Sequence, residues 1–580
     1  MTNRRCPAVA LNRIVRSGLL LTVFLAAHAI FAGSQSVRSR TGMVVSGSEV
    51  ASRVGADVLR EGGNAVDAAV ATAFALAVTL PSAGNIGGGG FLLYRSTNGQ
   101  AGAYDFREMA PAAASQTMFM TNGKYDPGLH HDSYLSVGVP GTVAGLYLAW
   151  SEQGSKKQNI SWARLVEPAI KLARDGFKVT DGLAHSLEQE LLKETTNQAA
   201  ISQFTKAGRL YTAADTLKQP VLAATLGRIA KEGPAGFYEG ATARAIDQEM
   251  RANGGLITLQ DLKNYKARSV TNIVRGTYRG YEILSMPPPS SGGVGLIEML
   301  NILEGYDLAA MGWGSATNIH RIVEAMKRAY ADRAHYLGDP CGPFDTNMPP
   351  SRLVSKEYAA SLRQTIRDDS SSPSALDFSW PNESHNTTHL SIVDEARNAV
   401  ALTYTLEDSY GVKVAVPGAG FLLNNELGDF NAAPDLTTTN GLIGTPPNLA
   451  APFKRPLSSM TPTIVLKDGR LFMVTGSPGG RTIIGTVLHT ILNVVDFGMN
   501  AQEAVDAGRF YHEWFPDEIA YERFALSPDT LRILDRQMGH HHFRKIRGPG
   551  VAEVIVFNAL HNVSEAGVDR RLPDGGVAVP

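Results

Sequence analysis

An α+β fold is predicted for this chain of 580 residues. Three observations carry that expectation. Helix-period segments fill much of residues 140 to 265 and 290 to 365, a Ser/Asp/Pro-rich linker occupies 366 to 384, and strand-like alternation begins abruptly where the linker ends. The length allows one large interlocked unit or several domains. At 44% hydrophobic and 19% charged, with 58 Gly and 30 Pro, the composition is globular with a mild glycine excess, which excludes disordered and fibrous classes.

The chain opens with Arg4, Arg5, Arg13 and Arg16, no acid in the first 32 residues, and an apolar run from 18 to 32 that ends in small residues. That is the layout of a secretory signal, and the run is shorter than the ~20 residues a bilayer span needs. The protein is therefore expected in the periplasm or outside the cell. Without those 32 residues, 50 basic groups face 55 acidic ones, a net of −5, so no basic field for nucleic acid remains. Cys6 leaves with the signal and Cys341 stays alone, which rules out an intrachain disulfide despite the oxidising destination.

Next come two helices, between Gly47 and Leu80, hinged at Gly62-Gly63-Asn64. Ala65 to Leu80 contains Asp67 and stops at Pro81, which marks a buried helix. Gly87 to Gly90 then lead into a strand at Phe91 to Tyr94. Glycines there predict backbone packed tightly against another layer, and no Lys-Ser/Thr follows them as a nucleotide loop would require. Trp162 to Gly176, Leu222 to Glu232, Ala241 to Asn253 and Thr317 to Ala334 are read as covering helices. Beyond the linker, His389 to Asp394 with Asn398 to Thr405 form one hairpin, and Thr463 to Leu466 with Leu471 to Thr475 another.

Thr387 thus stands at the head of a core strand behind a flexible linker. A threonine so placed can attack the preceding carbonyl, that of Asn386, and water can open the resulting ester. The freed residue carries a hydroxyl and an α-amine whose pKa of about 7.7 makes it a usable base at neutral pH. His540-His541-His542 is read as an exposed loop, since three adjacent histidines cannot face one ion from a strand. His389 is read as a buried structural histidine. No metal and no cofactor are assigned.

Separated motifs sharpen this. Asn386 to His389 with Val400 to Thr405, then Leu423 to Phe430, Lys454 to Pro462 and Thr475 to Gly480, resemble the small chain of the γ-glutamyltransferase family in order and spacing. Upstream, Gly87 to Gly90, Asp105 to Pro111, Pro287 to Gly293 and Ala325 to Asp339 resemble its large chain. The resemblance implies a four-layer αββα sandwich of the N-terminal-nucleophile hydrolase type, with residues 33 to 386 and 387 to 580 as a heterodimer after self-cleavage. It implies Thr387 as nucleophile, Thr405 as the hydroxyl that orients it, and the N–H groups of Gly479 and Gly480 as an oxyanion hole. It also implies Glu426 and Asp429 as ligands of a substrate ammonium, and Arg107, Ser458 and Ser459 as ligands of the α-carboxylate of a γ-glutamyl compound such as glutathione.

Two positions depart from the family's commonest pattern. Glu407 stands where many members have Asn and adds a third acid toward the ammonium. Asn440 stands where a lid tyrosine is usual, within a segment from Asn431 to Phe453 that is full length. Contact between Glu407 and Asn440 over the acyl site is expected. The rival readings are a cephalosporin acylase or poly-γ-glutamate cleaving enzyme on the same scaffold, and a secreted binding protein without catalysis.

Overall fold

The computed structural model describes residues 34–341, 349–374, 387–436 and 444–580. The signal, Asn386 and Asn440 lie outside the described residues, so the contact expected between Glu407 and Asn440 has one member beyond view.

Two seven-stranded sheets face one another. The first runs in the order Gly576–Ala578, Gly42–Ser46, Thr388–Asp394, Ala399–Thr405, Gly89–Arg95, Ala101–Asp105, Arg268–Val270, with all neighbours antiparallel. The second runs Val37–Ser39, Val563–Val568, Glu553–Asn558, Arg470–Gly476, Thr463–Lys467, Tyr281–Ser285, Val274–Tyr278. Both sheets mix strands from before and after Thr387.

The central strands are buried on both faces, and their sequences say so. In the first sheet Val44, Leu92, Ile392, Val400 and Leu402 point to a helical layer, while Val45, Phe91, Leu93, Val393 and Ala401 point to the other sheet. Successive side chains on a strand take opposite faces, so a strand covered twice must be apolar at every position. The helices Glu49–Arg60 and Ala65–Thr79 cover the first sheet; Gly292–Leu303 and Thr482–Val495 cover the second, and Ala316–Tyr336 packs on Gly292–Leu303. The result is the αββα stacking that the motifs implied.

The helix signals in the sequence are realised locally. Gly62, at φ 91°, turns the chain, and the Asn64 side chain then accepts from the N–H groups of Val66 and Asp67 while Asp67 returns a bond to the Asn64 N–H. That reciprocal cap starts the Ala65–Thr79 helix, every residue of which is buried. The covering helices occupy Trp162–Asp175, Pro220–Glu232, Gly240–Asn253 and Ala316–Tyr336. Gly87 to Gly90 are needed for close approach. A Cβ at Gly88 would stand 2.0 Å from the Thr405 carbonyl oxygen, and one at Gly90 2.3 Å from that of Thr403. The neighbour is thus the adjacent strand of the same sheet, not another layer.

The linker expectation needs correction. Residues 366–374 do not hang free. Lys327 Nζ donates to Ser371 Oγ at 2.7 Å and the Ser372 carbonyl at 2.8 Å, while Asp517 accepts from the Ser374 N–H at 3.1 Å. Glu324 accepts from the Ser372 N–H at 3.0 Å, and the Ser374 hydroxyl donates to the Trp514 carbonyl at 2.6 Å. Serines that read as solvent-loving in sequence serve here as ligands of buried charges on the covering helix.

Candidate active site

Thr387 immediately precedes the Thr388–Asp394 strand and is half-buried. That strand pairs Thr388 with Tyr404 and His389 with Thr403, so the register continued by one step sets Thr387 opposite Thr405. Thr405 Oγ1 accepts from the Glu407 N–H at 3.0 Å, which folds the chain after the strand back toward the same end of the sheet. Glu407 sits at φ 77°, a left-handed conformation uncommon for a side chain with a Cβ and a mark of sites where geometry is over-determined.

The segment carrying Glu426 and Asp429 is tied to that sheet end by two asparagines. Asn424 donates to the carbonyls of Gly87 and Gly138, both at 2.8 Å, and Asn425 binds Leu406 and Asp408. Glu426 and Asp429 then both reach Arg107, whose guanidinium is fully buried. Arg107 Nε also donates to the Pro456 carbonyl at 3.2 Å, and Nη2 to the Leu457 carbonyl at 3.1 Å. The arginine therefore anchors the backbone just ahead of Ser458 and Ser459. Ser458 is fixed through its N–H to Pro289 and its carbonyl to Ser291; Ser459 Oγ accepts from Arg333 at 2.9 Å.

The acids and the cation thus form one cluster. A guanidinium buried away from water requires carboxylates, and here Glu426, Asp429 and Glu108 hold it charged against the cost of burial. The surplus of acid has a converse effect. Burial pushes Glu108 up to about 7. Glu426 lies well above the usual carboxylate range, first through burial and then through Glu108 and Asp429, with Arg107 opposing. Glu407 is raised by burial and by Asp408, Asp429 and Glu426. Such a cluster holds exchangeable protons and responds to an incoming charge.

Gly479 and Gly480 follow the Arg470–Gly476 strand and precede the Thr482–Val495 helix. Their φ angles are 133° and 54°, and a Cβ at Gly479 would lie 2.8 Å from the Gly550 Cα, so a side chain at Gly479 is excluded on two counts. The site at a helix N-terminus suits an anion. His389 meets its expectation: it is wholly buried, its ring bonds Thr403 and Ser391 at 2.8 and 3.1 Å, and burial pushes it down to about 3. A Cβ at Gly476 would stand 2.2 Å from that ring, which explains the glycine.

The histidine triplet behaves otherwise than expected. His541 and His542 are exposed, but His540 turns inward and is 4% exposed, with Nε2 2.8 Å from His320 Nδ1. His320, Glu324 and His540 each bring a possible ligand atom within 4.8 Å of the others. Protein partners already engage them: His320 Nε2 donates to the Arg367 carbonyl at 2.7 Å, and Glu324 receives Arg328 and Ser372. The cluster serves to hold residues 367–374.

Three contributors escape sequence reasoning. Arg333 donates to Ser291 and Ser459 from within the Ala325 to Asp339 motif, where only its residue type hinted at a role. Asn424 lies beside the acids it positions. His131, whose Nδ1 is 3.4 Å from Glu407 Oε1, carries no local signal, because its partner is remote in sequence.

A family model described as gamma-glutamyltranspeptidase matches residues 51–579. The chain belongs to the gamma-glutamyltranspeptidase family. It is 49% identical over 506 residues to the glutathione hydrolase proenzyme of Escherichia coli (strain K12), covering 86% of this chain and 85% of that protein. Among solved structures, the cephalosporin acylase from Bacillus halodurans superposes with a TM-score of 0.81 at 26% identity, covering 95% of this chain and 97% of its own. The Helicobacter pylori gamma-glutamyltranspeptidase gives 0.53 at 44% identity, covering 56% of this chain and 91% of that one. The fold is that of the N-terminal-nucleophile hydrolases within this family.

Proposed function

We propose that this family member is made as one precursor, cuts itself before Thr387, and then hydrolyses or transfers the γ-glutamyl group of glutathione and related amides. One observation carries the reading: the buried Arg107 and Glu426, with the partly exposed Asp429, are fastened, through Asn424, Asn425 and Glu407, to the sheet end where Thr387 faces Thr405. A γ-glutamyl head bears an ammonium and a carboxylate on one carbon. A coupled acid–arginine cluster accepts such a zwitterion by exchanging partners, with ammonium on Glu426 and Asp429 and carboxylate on Arg107, Ser458 and Ser459.

The chemistry proceeds in two stages. First the Thr387 hydroxyl attacks the Asn386 carbonyl, the peptide nitrogen takes the proton, and water hydrolyses the ester. The products are the large chain, 33 to 386, and the small chain, 387 to 580. Then the new α-amine accepts the hydroxyl proton as the Thr387 oxygen attacks the γ-carbonyl, and the N–H groups of Gly479 and Gly480 receive the developing oxyanion. The amine leaves with a proton, and water or an amino-acid acceptor resolves the γ-glutamyl ester.

No helix among the described residues is long and apolar enough to cross a membrane. The basic N-terminal stretch and the short apolar run of residues 18 to 32 support export to the periplasm or medium. Likeness to a cephalosporin acylase raises a second reading, yet a buried charge cluster built for a zwitterion disfavours an acyl group without an ammonium. The test is direct. Purified protein should run as two bands on a denaturing gel, with Thr387 as a new N-terminus, and should release p-nitroaniline from γ-glutamyl p-nitroanilide. Thr387→Ala should remain one band and show no turnover; turnover by that variant would sink the reading.

A further inference from the structure

Glu407 is the acid that sets this chain apart from the commonest family pattern, and the structure gives it a partner in the other half of the precursor. His131 ends the short helix Pro127–His131, and its Nδ1 lies 3.4 Å from Glu407 Oε1. Gly428 makes the meeting possible. A Cβ there would stand 2.6 Å from His131 Nδ1 and 2.7 Å from Glu407 Oε2, so only glycine lets imidazole and carboxyl converge beside Glu426 and Asp429. Three segments, 127–131, 405–407 and 426–429, are thus shaped around this one contact.

The charges around Glu407 come from every side. Asp408, Asp429 and Glu426 repel its anion, Arg107 attracts it more weakly, Tyr125 lies near, and His131 faces the carboxyl itself. Burial and like charge favour a neutral Glu407. An incoming ammonium demands the anion. The displaced proton needs an acceptor, and imidazole is the side chain whose ordinary titration range permits that at physiological pH. The Glu407 side chain is 4% exposed and that of His131 21%, so the imidazole is the member of the pair in touch with water.

We propose that His131 is a positioning residue of the ammonium pocket, acting through Glu407: it accepts the proton Glu407 loses when a γ-glutamyl ammonium binds, and hands it to solvent. This rests on the reading of the pocket above. The balance is simple, since a carboxylic acid and a neutral imidazole become a carboxylate and an imidazolium, and no bond other than those to the proton changes. As pH falls, the imidazolium persists and competes with the substrate ammonium for Glu407. Preference for ligands bearing that ammonium must then weaken.

L-glutamate and glutarate differ only in the α-amino group, and their inhibition constants against γ-glutamyl p-nitroanilide hydrolysis isolate it. Taken as a ratio, they cancel any effect of pH on the nucleophile. For the self-cleaved wild type, preference for L-glutamate should fall roughly three- to tenfold from pH 8 to pH 5.5, the size of up to about one pKa unit of coupling. In His131→Gln, where Glu407 has no imidazole to take its proton, the fall should be steeper than in the wild type, and Glu407→Gln should abolish any further effect of changing His131. If His131→Gln fails to self-cleave, His131→Asn takes its place. A variant ratio that follows the wild-type slope, or equal effects of His131 on L-glutamate and glutarate, overturns the proposal. A wild type that neither self-cleaves nor hydrolyses the donor overturns the function itself, and this inference with it.

Discussion

Arg107 shows what a single side chain can organise. Its guanidinium is completely buried, binds two carboxylates, and donates to two backbone carbonyls that precede Ser458. Arg107→Met should lower kcat/KM for γ-glutamyl p-nitroanilide by at least about a hundredfold, since charge-assisted bonds of this kind contribute roughly 1.5–3 kcal/mol each. Its stability cost should fall below the ~3–5 kcal/mol typical of a broken buried pair, because Glu426 is already disposed to hold a proton. Thermal melts beside steady-state kinetics separate the two effects. His389 is a contrasting residue, structural and neutral. Gly476→Ala would press a methyl group into its ring, where Thr403 and Ser391 leave no alternative position. A loss of about 1–3 kcal/mol is expected, read as a lower melting temperature.

Among the elements, the glycine run at 87–90 and the strand Ala399–Thr405 are mutually dependent. Gly88 lies against the Thr405 carbonyl, Asn85 donates to that same oxygen at 2.8 Å, and Thr405 in turn fixes Glu407. Gly88→Ala should therefore displace Thr405 and leave the chain uncleaved. The outcome is a single band on a denaturing gel in protein that still shows native secondary structure by circular dichroism; normal cleavage would refute this link. The helix Ala316–Tyr336 has a comparable double role. Its apolar face packs on the Gly292–Leu303 helix in the core beside the second sheet, while Lys327, Glu324 and Arg333 hold the 371–374 strap and Ser459. An amphipathic helix in sequence gives no hint that its polar positions are buried too.

For the whole molecule, the segments before and after Thr387 share both sheets. The Thr388–Asp394 strand lies between Gly42–Ser46 and the Ala399–Thr405 strand, and the latter pairs with Gly89–Arg95. Separating them would expose Val, Leu and Ile side chains worth about 1.5–3 kcal/mol each when buried. After cleavage the chains should co-elute in gel filtration and part only in denaturant. Stability should have two pH flanks. Glu108, pushed up to about 7, and Glu553, raised well above its usual range by burial, bind protons more tightly folded than unfolded. Their contribution is complete at low pH and is lost as pH rises through the folded values. Glu553→Gln should thus flatten the fall in melting temperature as pH rises above the ordinary Glu value of about 4.3. Buried His389 and His540, both lowered to about 3, and His489, lowered to about 4, act oppositely. They support the fold fully above about 6.5 and withdraw that support as pH falls toward 4.

Sequence by itself determined the elements and the chemistry types. Period and punctuation fixed the helices at 65–79 and 316–336 and the hairpin behind Thr387, because apolar spacing and glycine or asparagine caps are local properties. Motif order implied which residues meet around a γ-glutamyl head. Only the tertiary structure decided which partners they take before substrate arrives. Arg107 closing on Glu426 and Asp429, His540 turning in to His320, the strap at 371–374 and His131 against Glu407 all join segments far apart in the chain. Residue type limits what a side chain can bond. Which bond it makes in a low-dielectric interior depends on the charges that packing brings beside it.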